Sequence, residues 1–492
     1  MSIQIRQVEQ RGKVLFSVAV ILFYLYYLFS QINIYLFQSL WRSYYLFAIP
    51  ILFGFTVAFL RKTKIREFWV FLAYWVWFII SRILNKDYAL VSDFNQIVDL
   101  ALMIPFFALG LLLDAKERKR FLNWISGIVG GYYFVLGIIC IICYVFNRDF
   151  PNPISQQFIA GTVPDSDFVR ISIMDTNVDT TAFWFMSGFL LMIYQILSSK
   201  KWLWKVLAFL AACVDYAVVG MTFTRSVFLA IGVIVGLLAA LVIFEKNKTK
   251  KPLGRLIAFM VPVFLLTSFI VYRGFYVVTD TMGKAAIAIE ETKKEASEPA
   301  AAMQSNESTG QDGEESHEPS AEANSPRVFS DNRRTMDGGI TKFSSGRISI
   351  YKSAIEVLKE DPSLFLRGCL YDESANKLTK AMEDSGGSKQ GKFVPHYQNY
   401  LIQVLVVTGL PGLALVMTFC LLMVVKAIRY YFLVDPQIDI GMKSLVFPVT
   451  ASLIYGLFES CFFTVTDIRS CFFFLLSGLF LGFWHDALKL EP

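Results

Sequence analysis

The sequence predicts an all-α integral membrane protein of about twelve transmembrane helices, with a large external loop between the ninth and tenth that is partly helical and partly disordered. Three observations carry that prediction. Hydrophobic residues make up 55% of the chain and aromatic residues 16%, with only 17% charged, which is far from the balance of a soluble domain. Apolar stretches of crossing length recur along it, about 20 residues being enough to span a hydrocarbon core. Lys and Arg collect in every second short loop, which is the mark of cytoplasmic loops.

The first six spans are read at Val14 to Phe29, Tyr44 to Leu60, Phe68 to Leu84, Gln96 to Leu113, Phe121 to Phe146 and Val178 to Leu197. Six more follow at Trp202 to Val219, Ser226 to Phe244, Leu256 to Val278, Leu401 to Val425, Ser444 to Glu459 and Arg469 to Trp484. Basic clusters lie at Arg6 to Lys13, Arg61 to Arg66, Lys116 to Arg120, Lys200 to Lys205, Lys246 to Arg255, and Lys426 with Arg429. This alternation predicts cytoplasmic N- and C-termini and an outward-facing long loop, and it accounts for the net charge of +6 without any nucleic-acid partner. No small-residue cleavage site follows the basic N-terminal tail, so the first span is expected to be a mature helix.

Three regions result: transmembrane helices 1–9 over residues 1–279, the external loop over residues 280–395, and helices 10–12 over residues 396–492. From Glu290 to Pro326 the loop carries ten acidic residues against Lys293 and Lys294, with no Leu, Ile, Val, Phe, Tyr or Trp. Such a segment buries too little surface to offset chain entropy and is expected to be disordered. From residue 339 to 395 apolar residues return, with Ile348, Tyr351, Ile355 and Leu358 on one helical face and Asp361-Pro362 as the stop, so a folded lid is expected there.

Of the three histidines, His317 lies in the acidic run and His485 in the C-terminal tail. Only His396 stands where a folded, membrane-apposed site could use its proton chemistry. Charges within spans are costly, and Asp99, Asp179, Asp215, Arg225, Arg273 and Glu459 all fall in the outer half of their helices. That shared depth favours a cavity open to the outer leaflet over a transporter site at the midplane. Cys140, Cys143, Cys213 and Cys420 read as small buried hydrophobes, whereas Cys369, Cys461 and Cys471 lie on the outer side, where an oxidised pair is left open by the spacing. The Gly232 and Gly236 pair reads as a close helix crossing.

The run Ser345-Gly346-Arg347-Ile348-Ser349-Ile350-Tyr351, continuing through Ala354 to Asp361-Pro362 and Arg367-Gly368, resembles the external-loop pattern of the O-antigen ligase and polymerase superfamily. His396-Tyr397-Gln398-Asn399-Tyr400-Leu401 followed by Thr408-Gly409-Leu410-Pro411-Gly412 is similar to that family's histidine, leucine and threonine-glycine-leucine-x-glycine signature. Thr224-Arg225 resembles its (S/T)-R motif, and Val169-Arg170 before Thr176-Asn177 resembles a further arginine motif. The chain departs from the pattern in Tyr397, where relatives often carry asparagine, in Asn177-Val178 for asparagine-proline, and in the acidic insertion.

The resemblance implies a metal-independent, cofactor-free glycosyltransferase of the bacterial cytoplasmic membrane, working at its outer face on a glycan carried by undecaprenyl diphosphate. It makes His396 the candidate catalytic residue and Arg170, Arg225 and Arg347 the candidate diphosphate ligands, with Asp179, Asp215, Arg273, Tyr400 and Glu459 as candidate cavity residues. Guanidinium forks suit such oxygens because they bind them bidentately. Polymerisation of lipid-linked repeat units is the first expectation, and ligation to a lipid, wall or protein acceptor is the alternative. A repeat-unit flippase is the rival from another class. Expected partners are the lipid-linked donor, a glycan or lipid acceptor, membrane lipids, and polysaccharide-export or chain-length-control proteins.

Overall fold

The computed structural model of the protein describes residues 14–20, 50–61, 65–85, 90–146, 148–151, 158–164, 169–173, 177–247, 253–304, 347–385, 394, 396–433, 443–464 and 468–490. Most of the first expected span, part of the second, the acidic run beyond Gln304, and the lid's residues 339–346 lie outside these. Among the described residues, eight helices are long and apolar enough to cross a membrane. They are α3 (Arg66–Leu84), α5 (Ala115–Phe146), α6 (Val178–Ser198), α7 (Trp202–Thr222), α8 (Arg225–Asn247), α9 (Leu253–Gln304), α13 (Tyr400–Leu433) and α15 (Ile468–Leu490).

Three further apolar helices are shorter than a crossing needs: α2 (Pro50–Leu60), the Gln96–Leu112 part of α4 (Leu90–Leu112), and α14 (Val446–Gly456). Residues 14–20 form α1. Where twelve full spans are expected, the described residues hold eight crossing-length helices and these shorter pieces. The eleventh expected span is one such case: its helix stops at Gly456, and the chain to Glu459 continues in successive turns.

Helices α4 and α15, α6 and α7, α8 and α9, and α3 and α13 pack as neighbours. The pairing of α8 with α9 follows from Gly236, where a side chain would strike the Phe264 carbonyl and the Ser268 hydroxyl, as the glycine spacing predicts. Two ion pairs tie helix ends together away from the lid. Lys426 Nζ on α13 meets the fully buried Glu67 of α3 at 2.8 Å, and Arg118 of α5 meets Asp486 of α15 at 2.5 Å.

The structure departs from an all-helical fold between α5 and α6. There β1 (Phe150–Pro151), β2 (Phe158–Pro164) and β3 (Val169–Ile173) form an antiparallel sheet in the order β1-β2-β3, with Val163 opposite Arg170. Its β-branched residues Ile159, Thr162, Val163, Val169, Ile171 and Ile173 favour a pleated strand, a local signal masked by the search for membrane spans.

A second correction concerns the acidic stretch. Helix α9 runs to Gln304, so residues 290–304 are helical where disorder is expected. Glu, Lys and Ala are strong helix formers, and a helix already nucleated in the apolar part propagates through them without needing a core.

The lid consists of α10 (Arg347–Glu360), α11 (Leu364–Arg367) and α12 (Tyr371–Asp384). Helix α10 ends at the expected Asp361-Pro362, but its buried face is Ile350, Ala354, Val357 and Leu358, while Ile355 is exposed. Two stripes at helical spacing compete here. The one containing Ser353 and Ala354 wins because small residues let α10 approach α12, whose Ala375, Leu378, Ala381 and Met382 complete this second core. Burial of Leu364, Cys369, Tyr397 and Val406 in the same core fastens the lid to the start of α13. All seven cysteines are free thiols, Cys369, Cys461 and Cys471 included, and Cys213 is exposed where a buried position is expected.

Helix α13 is broken at Gly409, whose φ of 71° lies in the left-handed region. The break leaves carbonyls open, and neighbouring elements close them. Cys369 N–H donates to Val406 O at 3.0 Å, Ser81 Oγ to Val407 O at 3.3 Å, and Trp77 Nε1 to Thr408 O at 2.7 Å. Arg82 Nη1 donates to Cys369 O at 2.6 Å, so α3 holds both the lid and the break.

Candidate functional site

The corner between α7 and α8 is built from Thr222, Phe223 and Thr224. Phe223 takes a left-handed conformation (φ 55°), which ends α7 and lets Arg225 begin α8. The helix end exposes carbonyls with partial negative charge. Arg170 on β3 answers them: its Nε donates to Thr222 O at 2.9 Å and its Nη2 to Phe223 O at 3.3 Å. Arg170 therefore caps the corner that carries Arg225.

Thr224 Oγ1 donates to Asp179 Oδ1 at 2.9 Å. Asp179 sits in the first turn of α6, where the Asn177 side chain accepts its N–H at 3.0 Å and the positive helix end favours its charge. Tyr455 OH donates to the Asp179 carbonyl at 3.0 Å, and Arg469 Nη1 donates to that phenol oxygen at 3.0 Å. The start of α6, the corner after α7, the end of α14 and the start of α15 are thus joined through polar contacts.

Arg347 opens α10 and reaches across to Glu459, which lies beyond the end of α14, with Nη2 and Oε1 3.0 Å apart. Their side chains are only 15% and 6% exposed, so this pair is largely removed from water. The Arg347 Nε is buried and has no hydrogen-bond partner among the described residues. Burial, ahead of the nearby Asp179 charge, pushes the Glu459 carboxyl up to about 8, against the opposing pull of Arg347 and Arg469.

His396 belongs to the lid side of the same region. Its Nδ1 lies 3.4 Å from Tyr371 OH on α12, a hydroxyl that burial pushes up to about 12. The three residues after it are tied down in turn. Tyr397 N–H donates to Gln403 Oε1 at 3.0 Å, and its hydroxyl donates to Ser374 O at 3.1 Å. Gln398 adopts φ 49° and accepts the Tyr351 hydroxyl at 3.2 Å. Asn399 caps α13, accepting from Leu401 N–H and Ile402 N–H, and donates Nδ2 to Leu457 O at 2.8 Å. The His396 segment is so bound both to the helix of Arg347 and to the loop of Glu459.

Of the sequence candidates, the structure gathers Asp179 with the Arg225 corner, and Arg347 with Glu459; Arg170 supports the first group. Arg225 and Arg273 both lie within electrostatic range of Tyr272 on α9, and Arg273 itself is exposed. Tyr400 turns inward: its ring packs 5.7 Å from Phe463 and its hydroxyl lies 3.6 Å from Cys420 Sγ, so it is a packing residue. Asp215 is buried inside the bundle against Gly188, where a side chain would strike its Oδ2. Arg469, Tyr455 and Tyr351 were not among the sequence candidates. Arg469 had a legible signal, since it stands in the first turn of an apolar helix just as Arg225 does.

Residues 206–417 match the model of the family described as O-antigen ligase, a stretch that runs from α7 through the corner and the lid to the middle of α13. No curated protein matches the chain. Over that stretch, which is less than half of the chain and lies among apolar helices of crossing length, the chain is similar to the O-antigen ligase family.

Proposed function

We propose that the protein is a membrane glycosyltransferase that takes a glycan from an undecaprenyl diphosphate donor at the outer face of the bacterial cytoplasmic membrane and passes it to an acceptor hydroxyl. The observation that carries this reading is the buried Arg347 guanidinium, held against Glu459 with an Nε that has no hydrogen-bond partner among the described residues. A guanidinium edge with an open donor, kept from water, suits a diphosphate oxygen.

In the proposed reaction the acceptor oxygen attacks the anomeric carbon of the donor sugar. The bond from that carbon to the phosphate oxygen breaks, and its electron pair leaves on the lipid diphosphate. His396 takes the acceptor's proton, a role for which an imidazole is suited at neutral pH, since its ordinary pKa is about 6.5. Arg225 and Arg347 stabilise the charge that develops on the leaving diphosphate. Arg170 acts through the corner it caps. Polymerisation, with a second lipid-linked repeat unit as acceptor, is the proposed reaction type.

Purified protein supplied with a polyprenyl diphosphate glycan tests the reading. Steady release of free lipid diphosphate that His396→Ala abolishes supports transfer; no release, with substrate moved between leaflets, supports a flippase instead. A product ladder growing by repeat units supports the polymerase, and a single transfer to an added lipid or peptide acceptor supports the ligase.

A further inference from the structure

The Arg347–Glu459 pair occupies the guanidinium that the proposed reaction needs. Nη2 is 3.0 Å from the carboxylate while Nε, on the same planar group, is buried and without a hydrogen-bond partner among the described residues. One edge of the guanidinium is taken and another is open. A diphosphate carries several acceptor oxygens at fork spacing, so full bidentate engagement requires the carboxylate to yield the edge it holds.

We propose that Glu459 is the resident counter-anion of Arg347 and a proton-controlled positioning residue: ionised it holds the guanidinium, and protonated it releases Arg347 to the donor's diphosphate. This rests on the reading that Arg347 binds that diphosphate.

The surroundings of Glu459 fit such exchange. Arg347 and the Tyr351 hydroxyl face it from α10, Asp179 from α6, Arg469 from α15 and Tyr455 from α14, while Cys461 lies on its own loop. A second anion brought beside Glu459 and Asp179 crowds three negative groups against two guanidiniums. Uptake of one solvent proton by the Glu459 carboxylate removes that excess, and no other reactant is needed. The carboxyl is already displaced upward to about 8 by burial. Below that pH it is neutral and Arg347 is available; above it the ionised form competes with the donor.

The test is binding of undecaprenyl diphosphate to the detergent-purified full chain between pH 7 and pH 9, with wild type, Glu459→Gln and Arg347→Gln in parallel. Wild-type affinity is expected to fall by about tenfold per pH unit above the Glu459 midpoint, the slope of one linked proton. Glu459→Gln is expected to bind with an affinity that stays flat between pH 7 and pH 9, apart from any titration of the probe itself, which both proteins share. Glu459→Ala, a second neutral variant, should give the same flat profile if Glu459→Gln does not fold. Wild type and the neutral variant falling in parallel would overturn the Glu459 proposal while leaving Arg347 as a ligand. Arg347→Gln binding as wild type does would overturn the underlying reading of Arg347 as well.

Discussion

The amide of Cys369 donates to the carbonyl of Val406 at 3.0 Å, and this bond joins the lid to the helix that the lid covers. Its surroundings explain why the chain needs Gly368 and Gly409 together. Both have positive φ, 67° and 71°, and each faces the other's backbone: a side chain on Gly368 would strike the Val407 carbonyl, and one on Gly409 the Leu366 carbonyl. Substituting Gly409→Ala introduces both left-handed strain and a steric clash, costs of about 1 to 3 kcal/mol for the backbone alone. The expected outcome is a lid that opens: earlier thermal unfolding and faster proteolysis within residues 347–385 than in wild type. Unchanged cleavage there would show that the lid does not depend on this contact.

The ion pair of Glu67 and Lys426 makes a second, independent statement about stability. Glu67 is fully buried on α3, and Lys426 of α13 is its partner at 2.8 Å. Removing Lys426 strands a carboxylate, a loss of about 3 to 5 kcal/mol for a buried pair, whereas removing both charges is far milder. Lys426→Met should therefore lower the melting temperature more than the double variant Glu67→Gln with Lys426→Met. If the double variant is the less stable of the two, the pair stabilises the bundle through more than charge compensation.

Much of the fold and part of the site were legible in the sequence. The apolar stretches that became α3, α5 to α9, α13 and α15 announced themselves because a membrane helix must satisfy its backbone internally and face lipid with apolar side chains. The stop of α10 at Asp361-Pro362 was equally local. The β1-β2-β3 sheet was hidden because its signal lies in short β-branched runs beside a far stronger hydropathy pattern. The break in α13 was present as Gly409 and Pro411, but the need for it lies in Ser81, Arg82 and Trp77, hundreds of residues away. At the site, residue types and motif spacing named His396, Arg225, Arg347, Asp179 and Glu459. That Glu459 holds Arg347, and that Arg170 is turned toward helix carbonyls, are facts of tertiary geometry with no local trace.

The three arginines should separate by assay. In the proposed reaction, Arg225→Gln and Arg347→Gln each remove a charge that stabilises the leaving diphosphate, worth about 2 to 4 kcal/mol of transition-state stabilisation, or roughly two to three decades in turnover. Arg170→Gln removes two hydrogen bonds to the carbonyls of Thr222 and Phe223, so it loosens the corner first. The expected pattern is a near-normal melting curve with little lipid diphosphate release for the first two, and a lowered melting temperature with a smaller loss of release for the third. An Arg170→Gln protein that melts as wild type does and releases nothing would assign Arg170 to the diphosphate instead.

Asp215 tests whether charge inside the bundle belongs to the site at all. Both of its carboxyl oxygens are buried without a hydrogen-bond partner among the described residues, and Oδ2 lies against Gly188 of α6. Its place in the bundle is set by shape, since it fills the space that the missing side chain of Gly188 leaves. A neutral amide of nearly the same shape should then substitute with little effect, and Asp215→Asn is expected to melt within a few degrees of wild type and to release lipid diphosphate at a comparable rate. The outcome differs sharply if Asp215 moves a proton during turnover, because an amide cannot. Comparable melting with release reduced by two decades or more would move Asp215 from the packing of α6 against α7 into the chemistry, and would call for a proton path from the bundle interior to the outer ends of those helices.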